Sequence, residues 1–468
     1  MLEPRRHRPS ARRRPRRPPA RRRGLRATPL AWGILVAGVI SAGALAFYGI
    51  LNGGFRPDAE WRNLVTELTA RGEPLFFSDV VPAEVPDEEN FFGAPVFDGL
   101  ASGAPQSDLL QKAGRPLAGK RATELLSATA QPDGGVRLDP IADAFAAEQL
   151  LDAEYLLPAD RVIAGMRGLG ISFDPLAEAA KRPGARFEID YASLSPALPH
   201  LGPVESLGNW LAIDGLARIG VGNGTAAAAD ILIITRLADA LSNEPFLASQ
   251  RTRRNLLSLA AGCIRAGIDG EVFDDGTLER LSAALQSARP VEDFARAVRG
   301  ERAALNTVLD DRHSDLPQAD AKLCEAWLGA GPDALSPREL RARRIAANTA
   351  IQAFLDQLGN PAGIVPAALL PPPDMPAPPR IADLAAEAGA FAQVQTYLAQ
   401  AVIACALERH RFEQGQFPEA LEALSPDFLP ELPLDPMTGL PPSYENDGTS
   451  FILTGGGWNG GPAWIWKG

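Results

Sequence analysis

The chain has little of what most catalytic and metal centres are built from. Its 468 residues include only four histidines and three cysteines. Cys263, Cys324 and Cys405 lie far apart and show no C-x-x-C or Cys/His ligand spacing, so neither a disulfide framework nor a zinc site is expected. Each sits in an apolar, helix-like run and reads as a buried free thiol; a pairing of Cys263 with Cys324 is the one disulfide left open. His7, His200, His313 and His410 have no second histidine, cysteine or nucleophile at useful spacing, and His410 in ERHRFE reads as a helix-surface residue. A triad assembled in space would leave no such local trace.

Charge is absent from one stretch. Residues 29–51, PLAWGILVAGVISAGALAFYGIL, carry none. At about 1.5 Å per helical residue this run can cross a hydrocarbon core of roughly 30 Å, and it predicts a single transmembrane helix. The leader before it holds twelve arginines and one acid, Glu3. With so little to bury, residues 1–28 are expected to be disordered, and arginine beside a span stays cytoplasmic. The expected topology is a single-pass protein of the bacterial inner membrane, N-terminus inside and ectodomain in the periplasm. A cleaved signal peptide ending at Ala44-Leu45-Ala46 is the rival reading, but apolar residues continue through Phe47, Tyr48, Ile50 and Leu51. Gly33, Ala37 and Ser41 stand four apart, a small-residue face on which two such helices would form a homodimer.

The total charge of −11 conceals a division. The leader carries +11, which leaves −22 on the rest. So acidic a body is not expected to bind nucleic acid, and the lipid bilayer is the first partner implied; the arginine leader alone suits a polyanion such as anionic lipid.

Beyond the span, DAEWRNLVTELTARGEP places Trp61, Leu64, Val65 and Leu68 on one helical face and stops at Gly72 and Pro74. Prolines 82, 86 and 95 then break FFSDVVPAEVPDEENFFGAPVF into an extended arm held down by its phenylalanines. The series from Trp61 and Ala70-Arg71-Gly72-Glu73-Pro74 to Val85-Pro86-Asp87-Glu88-Glu89-Asn90-Phe91-Phe92-Gly93 resembles the juxtamembrane segment of a broad set of uncharacterised single-pass bacterial envelope proteins. ARFEIDYASLSPALPHLGPVESL, ADALSNEPFLASQ and VRGERA, in that order, extend the similarity over the ectodomain.

Residues 101–360 read as mainly helical. GPVESLGNWLAIDGLARIG, TAAAADILIITRLADALSNEP, PFLASQRTRRNLLSLAAGCIRAGI and SPRELRARRIAANTAIQAFLDQLG repeat apolar residues at three and four, with Gly or Pro between them. No fixed-period repeat is visible, so an irregular antiparallel bundle or short solenoid is expected. Residues 361–380 are proline-rich and read as a stiff linker to a last piece, 381–468.

In that last piece Val394, Leu398, Val402, Cys405, Ala406 and Phe412 fall on one face of a long helix that Gly415 can end in a left-handed cap. Pro418 can open a short helix, PEALEAL. Asp435-Pro436-Met437-Thr438-Gly439 is turn chemistry, and two strands flank Asn446-Asp447-Gly448. The order Glu413-x-Gly415-x-Phe417-Pro418, Leu432-Pro433-x-Asp435-Pro436-x-x-Gly439, hairpin, Gly457-Trp458-Asn459-Gly460 resembles the soluble domain of the major pseudopilin of type II secretion systems. The resemblance implies a small α+β unit. In it Gln416-Phe417-Pro418 would pin the chain to the helix, and Asp435, Pro436 and Gly439 would shape the loop into the sheet. Two features of that family are missing. Arg26-Ala27-Thr28-Pro29-Leu30 lacks a prepilin junction, so polymerisation is not implied. The stretch Trp458–Trp466 lacks the aspartates of a calcium loop, so no cofactor is implied.

Other chemistry is sparse. Gly114-Arg115-Pro116-Leu117-Ala118-Gly119-Lys120-Arg121 fits G-x-x-x-x-G-K but puts arginine where a phosphate loop needs Ser or Thr. Gly220, Gly222 and Gly224 lie between helices, where they make a turn. Asp269, Glu271, Asp274 and Asp275 do not match a calcium loop and read as a solvated loop, with Asp275 or Thr277 capping the next helix. Trp458, Trp464 and Trp466 either close a small core or stack on sugar rings. The expectation is a non-catalytic, membrane-anchored envelope protein with a cytoplasmic tail (1–28), a span (29–51), a juxtamembrane helix and arm (52–100), a helical ectodomain (101–360), a linker (361–380) and a C-terminal module (381–468). The alternatives are a periplasmic hydrolase, which requires paired carboxylates in one cleft with one raised pKa, and glycan binding through the tryptophans.

Overall fold

The computed structural model describes residues 57–101, 105–129, 136–151, 157–191, 193–311, 317–371, 378–458 and 464–468. The arginine leader and the hydrophobic run with its Gly33, Ala37 and Ser41 face lie outside the described residues, as does His313. Residues 57–468 form one unit that is mainly helical with a small sheet near its end. In chain order the helices are α1 (Pro57–Ala70), α2 (Asp108–Gly114), α3 (Ala122–Ser127), α4 (Asp139–Ala147), α5 (Pro158–Gly168), α6 (Asp174–Ala179) and α7 (Leu201–Gly220). They continue with α8 (Gly224–Ala240), α9 (Leu247–Asp269), α10 (Asp275–Gln286), α11 (Pro290–Asp311), α12 (Gln318–Leu328), α13 (Pro337–Leu358) and α14 (Pro379–Gln414).

Helices α7, α8 and α9 pack on one another because α7 and α8 are apolar through most of their circumference and α9 adds an apolar face of Leu256, Leu257, Ala260, Ala261 and Ile264. Trp210, Leu207, Ile231, Ile234, Leu256 and Ile264 fill the space between them and are almost wholly excluded from solvent. The turn between α7 and α8 uses Gly222 at φ +77, and Asn223 caps α8 by accepting from the Ala226 N–H. Gly224 follows because a Cβ there would lie 1.9 Å from the Val272 carbonyl. Helix α10 starts from Asp274, whose carboxylate accepts from the Thr277 N–H at 2.8 Å. The capping residue is therefore one place ahead of Asp275, because the Asp274 backbone is the extended one.

The organising element is α14. Its 36 residues, about 54 Å at 1.5 Å per residue, start at Pro379, well before the Val394 stripe that marks it in the sequence. Ile381, Leu384, Phe391 and Ala392 belong to one hydrophobic core with α11, α12 and α13; Leu398 to Leu407 belong to a second with α7 to α10. Among the described residues it is the one helix long and apolar enough to cross a membrane, and it is buried inside the protein. Phe412 departs from the expected buried face and is half exposed, since the last turn of α14 projects beyond the core.

The expected break at 361–380 does not divide the described residues. Ile364 and Leu369 are buried, and the Ile364 N–H donates to the Pro436 carbonyl at 2.8 Å. Residues 381–468 share their core with the bundle, so they do not form a module held away on a linker.

Gly415, at φ +78, ends α14 as the left-handed cap expected. Pro418 opens no helix: the chain stays extended until a 3-10 turn at Leu421–Leu424. The Pro418 carbonyl instead accepts from Tyr444 Oη and Asn446 Nδ2, which joins this segment to the sheet. Strands β1 (Ser443–Asn446), β2 (Phe451–Gly455) and β3 (Trp464–Lys467) run antiparallel in the order β1-β2-β3, with Leu453 paired to Trp466. Asp435 locks the sheet to α14. Its buried carboxylate accepts from the Met437 N–H (2.7 Å), the Gly456 N–H (2.5 Å) and Thr396 Oγ1 (3.2 Å), while Gly439 closes the turn at φ +67. Asp435→Ala strands these donors and is expected to cost about 2 kcal/mol, read from urea unfolding of the full chain in detergent. A loss below about 0.5 kcal/mol would show that the lock carries no load.

The segment 57–100 is stitched along the body. Trp61, Leu64, Val65 and Leu68 face inward, and Arg344 of α13 lies 3.9 Å from the Trp61 ring centroid. Glu73, just past the end of α1, accepts from Arg299 Nε at 2.8 Å and Nη2 at 3.0 Å, and from Arg302 Nη2. Further along, Phe91, Phe92 and Phe97 bury together.

Candidate functional site

The catalytic sets suggested by residue type are sealed or neutralised. His200 is fully buried, with Nε2 2.9 Å from Glu244 Oε1 and its ring stacked on Phe187 at 4.0 Å. Ser249 Oγ donates to the same carboxylate. The hydroxyl faces a carboxylate, a weaker base than an imidazole, and Ser249 is wholly buried, so the set lacks the Ser–His contact and the access by which a triad activates its serine. Cys263, Cys324 and Cys405 are free and buried, so the open Cys263–Cys324 pairing is not made. Burial pushes the thiols of Cys263 and Cys405 up to about 12 and that of Cys324 to about 11, which leaves them unreactive.

The phosphate-loop lookalike is a tight turn in which Leu117 and Lys120 exchange backbone hydrogen bonds, and the Ala118 N–H donates to Glu148. A carboxylate therefore occupies the place an anion would need. In the acidic loop, Asp274 is spent on its cap, Asp275 meets Arg409 at 3.0 Å, Glu271 meets Arg411 at 3.3 Å and Asp269 meets Arg265 at 3.9 Å. Among the described residues no group of three His, Cys, Asp or Glu side chains is placed to hold a metal.

One carboxylate pair does meet half the requirement for a hydrolase. Asp214 of α7 and Asp230 of α8 are both buried and share Arg218, which reaches Asp214 Oδ2 at 2.9 Å and Asp230 Oδ2 at 3.0 Å. Alignment favours Asp214, so the Asp230 oxygen has no aligned donor. Burial first, and the Asp214 charge second, push Asp230 up to about 8. Neither aspartate is among the residues that line the two clefts bordered by Val291 and Glu292 of α11.

The larger cleft has a volume of about 1080 Å³. One wall is the proline-broken arm, Asp79 to Val85; facing it are the end of α8 with Arg236, Asp239 and Asn243, and α11 with Glu292, Arg296 and Arg299. Its floor is charged but paired: Arg253 bridges Asp239 (2.9 Å) and Asp293 (2.8 Å), and Arg299 is held by Glu73. Asp79 accepts from the Leu75 and Phe76 N–H groups. No histidine or cysteine is among its described lining, and Glu292 is the one lining carboxylate not engaged in this way. That composition can bind a ligand, but it does not supply the two free carboxylates of glycoside hydrolysis.

The tryptophans are packing groups where they are described. Trp466 is fully buried in β3, 5.2 Å from the Tyr397 ring, and belongs to the core under the sheet. Trp458 is half-buried and covers Gly389 of α14, where a Cβ would lie 2.8 Å from the indole. It packs on the other core. Trp464 pairs with Gly455 through the backbone. The structure therefore gives Trp458 and Trp466 to different cores and does not set them side by side as a sugar platform. His410 stays at the surface, its Nδ1 2.9 Å from the Gln416 carbonyl.

Comparison with protein-family models, with curated proteins and with solved structures found no match. The cleft therefore rests on its own geometry. Sequence reasoning did not single out Arg236 or Arg296. The one local signal was an arginine at position 236 inside the apolar run ILIITRLADA, whose nearest acid, Asp239, is claimed by Arg253.

Proposed function

We propose that the protein is a non-catalytic, membrane-anchored envelope protein that works by binding, with 29–51 as its permanent anchor and the helical body as a periplasmic ectodomain. The observation that supports this reading is the clamp at Glu73. Arg302 is wholly buried and Arg299 partly so, and both close on a carboxylate only three residues beyond the end of α1. Such a clamp fixes the first described helix, the one nearest in sequence to the hydrophobic run, to the body. The pseudopilin-like arrangement of 391–468 makes envelope or secretion-related proteins the partners to seek. Leu434 and Leu440, exposed on its proline-rich loop, are the apolar contacts it offers.

The test is alkaline extraction of membranes and protease treatment of spheroplasts expressing the chain with a C-terminal tag. The full chain is expected to stay with the membrane and its tag to be digested from outside, while deletion of 29–51 releases the protein. Release of the full chain by carbonate, or a protected tag, would refute the anchor or the topology.

A further inference from the structure

We propose that the cleft between the arm 79–85 and helices α8 and α11 binds an organic anion, a carboxylate or phosphate on an apolar frame, with Arg236 and Arg296 as its charge partners. Most buried or half-buried guanidinium groups elsewhere in the body are matched by acids; Arg254, which lies over the Phe391 ring, is not, but it lines neither cleft. Arg253 has Asp239 and Asp293, Arg302 has Glu73, Arg344 has Asp310, and Arg218 has two aspartates. Arg236 is the exception on a cleft wall. Its Nη2 donates to the Arg182 and Gly184 carbonyls, both at 2.8 Å, and its guanidinium lies 4.7 Å from the Phe91 ring centroid.

A guanidinium has five N–H donors, so those two bonds leave Nε and Nη1 unused. Neither nitrogen is sealed in the interior, which leaves the cleft as the space they open to. Partial burial without a carboxylate lowers the Arg236 pKa, and Asp239, committed to Arg253, opposes this only in part. A bound anion would supply the missing charge.

Arg296 lines the same cleft, is exposed, and has no ion-pair partner among the described residues. Val80, Val81, Pro82, Val291, Leu355 and Leu358 complete an apolar wall. The volume of about 1080 Å³ is far larger than an inorganic ion needs and is at the upper end for small-molecule sites. Two guanidiniums without a salt bridge, against one free lining carboxylate, Glu292, leave the cleft net positive, and with the aliphatic wall this selects a molecule with an anionic head and an apolar body.

The experiment is arginine modification by phenylglyoxal, mapped by peptide mass spectrometry, on the full chain in nanodiscs of neutral phosphatidylcholine. Hexanoate and hexyl phosphate are the probes; inorganic phosphate and hexanol present the head and the frame alone. At four times its dissociation constant, a probe that covers the site should slow labelling of Arg236 and Arg296 about fivefold. Protection by hexanoate alone or by hexyl phosphate alone identifies the head group. Hexanol is expected to give none. An Arg236 that does not react in the free protein, or that neither organic anion protects, would overturn the proposal; equal protection by inorganic phosphate would overturn the apolar frame. Because Arg236 also holds two carbonyls, the fold-safe variant is Arg296→Gln, at an exposed position. It is expected to raise the probe concentration needed to protect Arg236 about tenfold, the loss of one charge-assisted contact. Unchanged protection would remove Arg296 from the site.

Discussion

Glu73→Gln is expected to destabilise the body by about 3–5 kcal/mol, the cost of removing one partner from a buried ion pair. Burial alone would raise the pKa of this carboxylate, but hydrogen bonds from Arg299 and Arg302 outweigh it and hold the group down to about 2. Glutamine keeps the shape and one acceptor. It leaves the fully buried Arg302 charge with neutral acceptors, the introduced amide oxygen and Gln352 Oε1 at 2.8 Å, in place of a carboxylate. Burial lowers the Arg302 pKa, yet its ordinary value is so high that the charge persists and remains uncompensated.

The pH dependence of the clamp has a definite sign. The folded pKa of Glu73 lies below its ordinary 4.5, so the clamp's stabilisation is complete above that value and fades as pH falls towards 2. Urea unfolding of the full chain at pH 7, with hydrogen exchange across 57–79, checks both. Faster exchange is expected, most of all in that segment. A stability loss under about 1 kcal/mol would mean that Arg302 finds another partner and that the clamp does not fix α1.

What could be read in advance follows from locality. Helices α7, α8, α9 and α13 announce themselves because their apolar spacing, their Gly and Pro breakers and their caps lie within one window; Ser336 and Glu339 even form a reciprocal capping box. The hairpin around Asn446-Asp447-Gly448 is legible for the same reason. Helix α14 was visible as a helix but not as the spine, because its stretch from Leu398 to Leu407 is buried all round and has almost no polar face to show where its neighbours are. The prolines of 361–380 look like a linker, and only the packing of Ile364 and Leu369 against partners far away in sequence makes their first part a fitted wall.

The cleft was illegible for the strongest version of this reason. Its lining comes from residues 79–85, 183–185, 236–243, 291–299 and 355–359, and no two of these stretches share a motif. Arg236 looks like any arginine three residues before an aspartate until Arg253, from another helix, takes that aspartate. Likewise, Asp214 and Asp230 are unremarkable acids on two helices. Their chemistry arises only when the α7–α8 hairpin buries both beside one guanidinium.

That pair sets the second large effect: stability should fall as pH rises from about 4 to 8, and Asp230→Asn should abolish much of the fall. An acid whose folded pKa is raised holds its proton more tightly when folded. Its contribution is therefore greatest below the unfolded value of 3.8 and is lost as pH rises to the folded value of about 8. Each pH unit in that window costs about 1.4 kcal/mol for one proton, so full conversion of the shift gives an upper bound of about 6 kcal/mol. The groups that face Asp230 are Asp214 and Arg218 from α7 and the Cys263 thiol from α9. The thiol stays neutral throughout this range, its pKa being near 12. Arg218 can neutralise only one of the two carboxylates, and its alignment favours Asp214. Asparagine at 230 would keep an oxygen for Arg218 while removing the second charge, so the variant should gain about 2–4 kcal/mol at pH 8 and little at pH 4. The measurement is urea unfolding of both proteins at each pH unit from 4 to 9. Parallel curves would mean that Asp230 is ionised in the folded protein at neutral pH and that water or a second cation reaches it. Convergence near pH 4, divergence that grows from there and a plateau above about 8 would place the proton on this pair.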